Sequence, residues 1–212
     1  GSDSSGLYYV REENHFINRG SYRLDKLVDK VNLKSLTFIA GHSRLITNSS
    51  IDNQPIRRND ISVLHNGIIV NQESIWKYIK EKPLHRIDSE IIPVLFSYFI
   101  SEGIQLEDIP KKILEICKGV VSCAVILEKL GKLILISNNG SLYYGKKDND
   151  FIFASEKFTL DLINCKGIKQ IKNDYLLKVI PKNMNNIIEQ NENHKRSDYV
   201  PSLNLISKES DL

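Results

Sequence analysis

The feature that most constrains this chain is the order of its hydrophobic patterns. Most of its helix-spaced apolar positions fall in a central block from about residue 72 to 117, with strand-like runs on both sides. Regular alternation of strand and helix would build a parallel sheet from βαβ units. Strands gathered before and after a helical block give an α+β fold instead.

In the N-terminal group, residues 6–11 read as a strand, 12–22 as a polar loop, and Leu24, Leu27, Val28 and Val31 as one face of a helix. Residues 36–40 read as a buried strand, and 61–64 as another that continues through 68–70. In the helical block, Asn71 is placed to cap a helix carrying Ile75, Trp76 and Ile79. Asp88 is placed to cap the next, whose face is Ile91, Ile92, Leu95, Tyr98 and Phe99; Pro93 comes early enough in it to be tolerated. A third helix spans 107–117. Strands follow at 120–128, 133–137, 142–144 and 151–154, with a turn at 147–150 and a short helix over 156–163. The runs 168–171 and 175–180 flank Asn173-Asp174, which suits a two-residue hairpin loop. From 182 to 212 the chain is Asn-rich, charged and aperiodic, and reads as a linker or disordered tail after a domain over 1–181.

Composition narrows the function classes. A length of 212 residues is enough for a real core, and a net charge of +3 with scattered basic residues argues against nucleic acid. No apolar run reaches the roughly 20 residues of a membrane span. Cys117, Cys123 and Cys165 form neither metal spacing nor an even framework, so reduced thiols and a cytoplasmic setting are expected, with no metal and no cofactor. His42 and His65 read as satisfied core or edge histidines rather than ligands.

Two strand ends carry the chemistry. The first delivers Gly41-His42-Ser43-Arg44, and the second runs into His65-Asn66-Gly67. A pocket for a free amino-acid amide such as glutamine needs a cation for the α-carboxylate, an anion for the α-ammonium, and donors for an oxyanion. Arg44 suits the first, because its planar fork binds carboxylates bidentately. Asp88 suits the second. The Asn66 side-chain amide and the Gly67 N–H suit the third. Taken singly, each has a commonplace reading: a surface arginine, a turn, a helix cap. Their co-occurrence in one order is what those readings do not require.

The ordered set resembles the class II glutamine amidotransferases. Gly41-His42-Ser43-Arg44-Leu45-Ile46-Thr47 is similar to their G-H-x-R-x-x-T segment, Asn53-Gln54-Pro55 closely follows their N-x-Q-P turn, and His65 to Asn71 resembles H-N-G-x-(I/L)-x-N. Asp88-Ser89-Glu90 resembles S-D-(S/T)-E with Ile87 in place of the first serine, Ala154-Ser155-Glu156 the closing A-S-E, and Gly1-Ser2-Asp3-Ser4-Ser5-Gly6 the R-G-x-D-S-x-G loop without its arginine. The resemblance implies an N-terminal-nucleophile hydrolase fold: a four-layer αββα sandwich with mainly antiparallel sheets. It implies hydrolysis of glutamine, with ammonia passed to a synthase domain in cis or in trans. By position, Arg44 and Thr47 would hold the carboxylate, Asp88 the amino group, and Asn66 with Gly67 the oxyanion.

The departures bear on activity. In that family the nucleophile is an N-terminal cysteine whose own α-amine is the base. This sequence opens on Gly1, and none of its three cysteines matches that position. The expectation is therefore a glutaminase domain without its first strand and nucleophile, inactive as given, with two unpaired strand edges and an uncovered apolar face where that strand belongs. The alternative is a true loss, leaving a non-catalytic domain that binds glutamine or only docks. Leu45 and Asn48 depart from hexosamine-phosphate synthase relatives, which makes the amidophosphoribosyltransferase and asparagine-synthetase branches at least as close.

Overall fold

The structure is a computed structural model, and it describes residues 4–31, 33–44, 53–185 and 187–192. The elements in chain order are β1 (Ser4–Arg11), β2 (Asn14–Gly20), α1 (Leu24–Lys30), β3 (Leu36–Arg44), β4 (Ile56–Arg58), β5 (Ile61–His65) and β6 (Ile68–Ile69). The helical block follows: α2 (Gln72–Ile79), a 3-10 turn at Asp88–Glu90, α3 (Ile91–Ser101) and α4 (Ile109–Ile116). Then come β7 (Gly119–Val120), β8 (Ser122–Leu127), β9 (Lys132–Ser137), β10 (Tyr143–Lys147), β11 (Asp150–Ala154), α5 (Lys157–Leu162), β12 (Lys166–Gln170), β13 (Asp174–Val179) and β14 (Ile188–Glu192).

Two sheets face each other across a core. One is antiparallel with order β13-β9-β8-β5-β4, and the other has order β14-β2-β1-β3. The alternation along β8 shows why its sequence is apolar from Cys123 to Leu127. Ala124 and Ile126 face the inter-sheet core with Tyr8, Val10, Ile17, Leu64 and Leu133, while Cys123, Val125 and Leu127 pack beneath the helices. On that outer side, α2, α3 and α4 contribute Trp76, Phe96, Ile109 and Ile113. On the far side, Leu7 and Tyr9 of β1 turn outward onto Leu27 and Val31 of α1 and its end. The layers thus run α1, sheet, sheet, α2–α4, the αββα order.

Several local expectations give way. Residues 12–22 are not a loop. The chain reverses at Glu12 and Glu13, whose φ values are 49° and 63°, and β2 then pairs along the whole of β1. Two glutamates in a left-handed turn replace the usual Asn-Gly signal, and Asn18 and Arg19, buried on β2, hide the strand pattern. β3 is only half-buried, with Ile39 exposed, because it is an edge strand. Residues 68–70 do not continue β5; Ile68 and Ile69 pair with Val120 and Gly119 in a separate ribbon. β12 and β13 form no hairpin, since β12 pairs with β10 and β13 with β9. Their inward faces belong to different sheets, which overrides the local turn.

β14 lies inside the stretch read as a linker. It joins β2 in parallel, so residues 188–192 belong to the sheet. Glu189 holds it there, accepting from Arg19 at 3.2 Å and Arg57 at 3.5 Å. Arg57 also spans both oxygens of Glu128, which is fully buried and accepts from the Ser62 hydroxyl at 2.6 Å. A buried carboxylate held this way is costly to break.

Candidate functional site

A groove of about 780 Å³ opens on the inter-sheet core. One wall is β3 and another is β11, an end strand of the small sheet β11-β10-β12; the outer edge of each pairs with no described strand. Its floor includes Leu64, Ala124, Leu133 and Leu142, all buried members of the core. Two open edges above an apolar floor are the features expected where one strand is to be added. Asn66, His42, Ser43, Ser155 and Glu156 also line this groove, which brings the Gly-His-Ser, Asn-Gly and Ala-Ser-Glu segments onto one cavity.

Asn66 and Gly67 follow β5 and are exposed. The Asn66 N–H donates to the Ser122 carbonyl at 2.8 Å, fixing where the loop leaves the sheet. Gly67 passes directly over β7. A Cβ there would collide with the Val120 carbonyl oxygen and the His65 ring, so only glycine fits. His65 lies buried below. Its Nδ1 is 3.0 Å from the Ser89 hydroxyl and its Nε2 is 3.1 Å from the Val120 carbonyl. Burial lowers its pKa, and the Asp88 charge pulls partly back.

Asp88 does not cap a helix. It opens the 3-10 turn before α3, and its carboxylate accepts from the Ile69 N–H at 2.7 Å. That bond ties the residue expected to hold an amino group to the loop expected to hold an oxyanion. Asn71 sits at the α2 N-cap position but caps nothing with its side chain. Instead it donates to the Ile116 carbonyl at 2.9 Å and accepts from the Lys118 N–H at 2.8 Å. Arg44 is the last residue of β3, paired with Ser4, and Thr47 lies outside the described residues.

Sequence reading named Gln54 and Ser89 as parts of motifs without roles, and the structure supplies them. Gln54 mimics a strand partner for His65, donating to its carbonyl at 2.9 Å and accepting from its N–H at 2.5 Å. Its Nε2 also lies 3.3 Å from the Ser89 hydroxyl. Gly6 is pressed against the Gln54 backbone, where a Cβ would overlap the carbonyl oxygen. No period in the sequence announces these contacts, because they join four segments far apart in the chain. The cysteines are poor nucleophiles: all three are buried, and burial pushes the Cys117 thiol up to about 12 and Cys123 higher still.

Comparison with known proteins converges on one family. A family model described as a glutamine amidotransferase domain matches residues 42–161, more than half of the 212-residue chain. An uncharacterized glycosyltransferase of Methanocaldococcus jannaschii is 31% identical over 159 residues, covering 72% of this chain and 40% of that protein. A glutamine–fructose-6-phosphate aminotransferase of Halalkalibacterium halodurans is 28% identical over 170 residues, covering 76% of this chain and 28% of that one. The chain therefore spans well under half the length of these relatives. Among solved structures, glutamine phosphoribosylpyrophosphate amidotransferase from B. subtilis superposes with a TM-score of 0.68 at 18% identity, over 84% of this chain and 43% of that one. The fold is that of the N-terminal-nucleophile hydrolases, with mostly antiparallel sheets.

Proposed function

The chain belongs to the glutamine amidotransferase domain family, and we propose that it forms the glutamine pocket of a glutaminase that hydrolyses glutamine to glutamate and passes the ammonia to a synthase domain. In this reading Arg44 and Thr47 bind the α-carboxylate and Asp88 the α-ammonium. Asn66 and Gly67 donate to the amide oxygen as it becomes an oxyanion. The nucleophile is an N-terminal cysteine on an additional strand seated in the groove. Its thiolate attacks the amide carbon, ammonia leaves, and water hydrolyses the thioester. The strand comes from the same polypeptide or in trans.

The single observation that carries this reading is the groove. Two edges that pair with no described strand flank an apolar floor, and Asn66 lines the same cavity. The Ile69–Asp88 bond supports it by coupling the two binding elements. The burial of Cys117, Cys123 and Cys165 supports placing the nucleophile elsewhere.

Calorimetry with L-glutamine on this chain tests the pocket. Binding that disappears in Arg44→Ala is the expected result. A well-folded sample that binds no glutamine overturns the pocket. Fusing a cysteine-initiated strand ahead of Ser4 tests the catalytic half: glutamate release is expected, and its absence with the synthase partner present removes the enzyme reading.

A further inference from the structure

We infer that His65 is a positioning residue, a neutral imidazole that holds the Gly67 amide in place by linking the Asp88 turn to the β7 backbone. The inference rests on the glutamine-hydrolysis reading and assigns a role that the substrate contacts leave open.

The argument is one of donors and acceptors. The Val120 carbonyl can only accept, so the His65 Nε2, 3.1 Å away, carries the ring proton. Burial keeps the ring neutral. Nδ1 is then an acceptor, and the Ser89 hydroxyl at 3.0 Å donates to it. Ser89 in turn accepts from the Gln54 amide at 3.3 Å. The result is a directional relay: Gln54 amide to Ser89 hydroxyl to His65 ring to Val120 carbonyl. Every member is buried or half-buried.

Its position gives the relay a task. Gly67 lies over the two groups at its end, the His65 ring and the Val120 carbonyl. The other end is Ser89, next to Asp88, which itself bonds Ile69 two residues beyond Gly67. The loop 66–69 is thus fixed from below by the ring and from beyond by the carboxylate. A shift of either would move the Gly67 N–H relative to the amide oxygen that develops charge. Oxyanion stabilisation depends on donor placement rather than on ground-state affinity. His65 should therefore act on turnover and leave binding nearly untouched.

The relay is testable first without substrate. In nitrogen-15 spectra of the histidine-labelled full chain at pH 7, His65 is expected as the Nε2–H tautomer alone. A ring protonated at Nδ1, or a mixture, overturns the relay. In the form bearing the cysteine strand, Ser89→Ala and His65→Gln are each expected to lower kcat for glutamine hydrolysis by roughly tenfold, with KM within about twofold. Because both break one relay, the double variant is expected to be no worse than either single one. Ser89→Thr, which restores a hydroxyl, should recover most of the rate. A rise in KM with kcat unchanged, or losses that multiply, overturns the role. No hydrolysis by the unaltered cysteine-bearing form would strike the proposed function instead, and the tautomer spectra would still decide the relay.

Discussion

The two main sheets of this molecule are finished to different degrees. The sheet built on β5, β8 and β9 is covered on both faces, by the inter-sheet core and by α2, α3 and α4. On the other side, β3 and β11, from two different sheets, each present to the groove an edge that pairs with no described strand. The site is divided along the same line. Asn66, Gly67, His65 and Asp88 stand on the finished half, where neighbouring segments over-determine their positions. The proposed nucleophile belongs to the interrupted half. On the proposed reading, pre-organised binding resides in one part of the domain while the reactive group comes with a separate strand.

The largest effect should come from closing the interruption. A cysteine-initiated strand fused ahead of Ser4 is expected to raise glutaminase activity from background to a readily measured rate. It should also raise the melting midpoint by about 10 °C, consistent with a few kcal/mol in a domain of this size. The chain alone should express poorly or aggregate through its open edges. A sharp, monomeric melt of the unfused chain, unchanged by the strand, would mean the halves do not differ as described.

Next is Gly67→Ala in the cysteine-bearing form. Because the added methyl meets a backbone carbonyl, the loop must lift away. kcat is expected to fall by about 10²–10³, the usual cost of one oxyanion donor, while glutamine affinity changes little. Steady-state kinetics beside calorimetry separates the two quantities.

Core truncations then compare the halves directly. Phe96→Ala, fully buried on α3, should cost about 3–5 kcal/mol by denaturant unfolding. Phe153→Ala, on the groove wall, should cost under about 1.5 kcal/mol, because its ring packs on the core from one side and is only half-buried. With the strand in place that second cost should rise. Equal costs in the unfused chain would erase the contrast.

The smallest effect is in pH. His15 and His65 are buried, and burial lowers the pKa of each below the ordinary value of 6.5. The unfolded chain therefore takes up protons that the folded one does not. Their contribution to stability is fully present above about pH 6.5 and is lost as pH falls toward the depressed folded values. The limiting slope is about 1.4 kcal/mol per pH unit for each histidine. Urea midpoints between pH 7 and 5 should fall, and less steeply in His15→Gln. A midpoint that rises on acidification would contradict the burial of both rings.

How much was legible in the sequence follows from the same contrast. β5, β8 and β9 could be read because burial on both faces demands mainly apolar runs, and α2, α3 and α4 because one face of each meets that sheet. β2 and β14 could not. β2 turns on two glutamates and buries Asn18 and Arg19, and β14 is held by Glu189 on two arginines rather than by an apolar face. At the site, Asn66-Gly67 and Asp88 were legible as residue types suited to an amide ligand, and the family resemblance ordered them. The Ile69–Asp88 bond and the Ser89–His65 relay were not, since hydrogen bonds between distant segments leave no periodic trace. The departures at Leu45 and Asn48 left more than one branch open, and two appear: a glutamine–fructose-6-phosphate aminotransferase among the sequence relatives and a phosphoribosylpyrophosphate amidotransferase among the solved structures.

Two tightly packed glycines carry an evolutionary consequence. Gly6 abuts the Gln54 carbonyl and Gly67 the Val120 carbonyl, so the nearest obstacle at each position is main chain. A neighbour's side chain can be trimmed by a second mutation, but a carbonyl cannot. Substitution at either glycine should therefore have no cheap suppressor, and selection for regained activity should return the original codon rather than a compensating change.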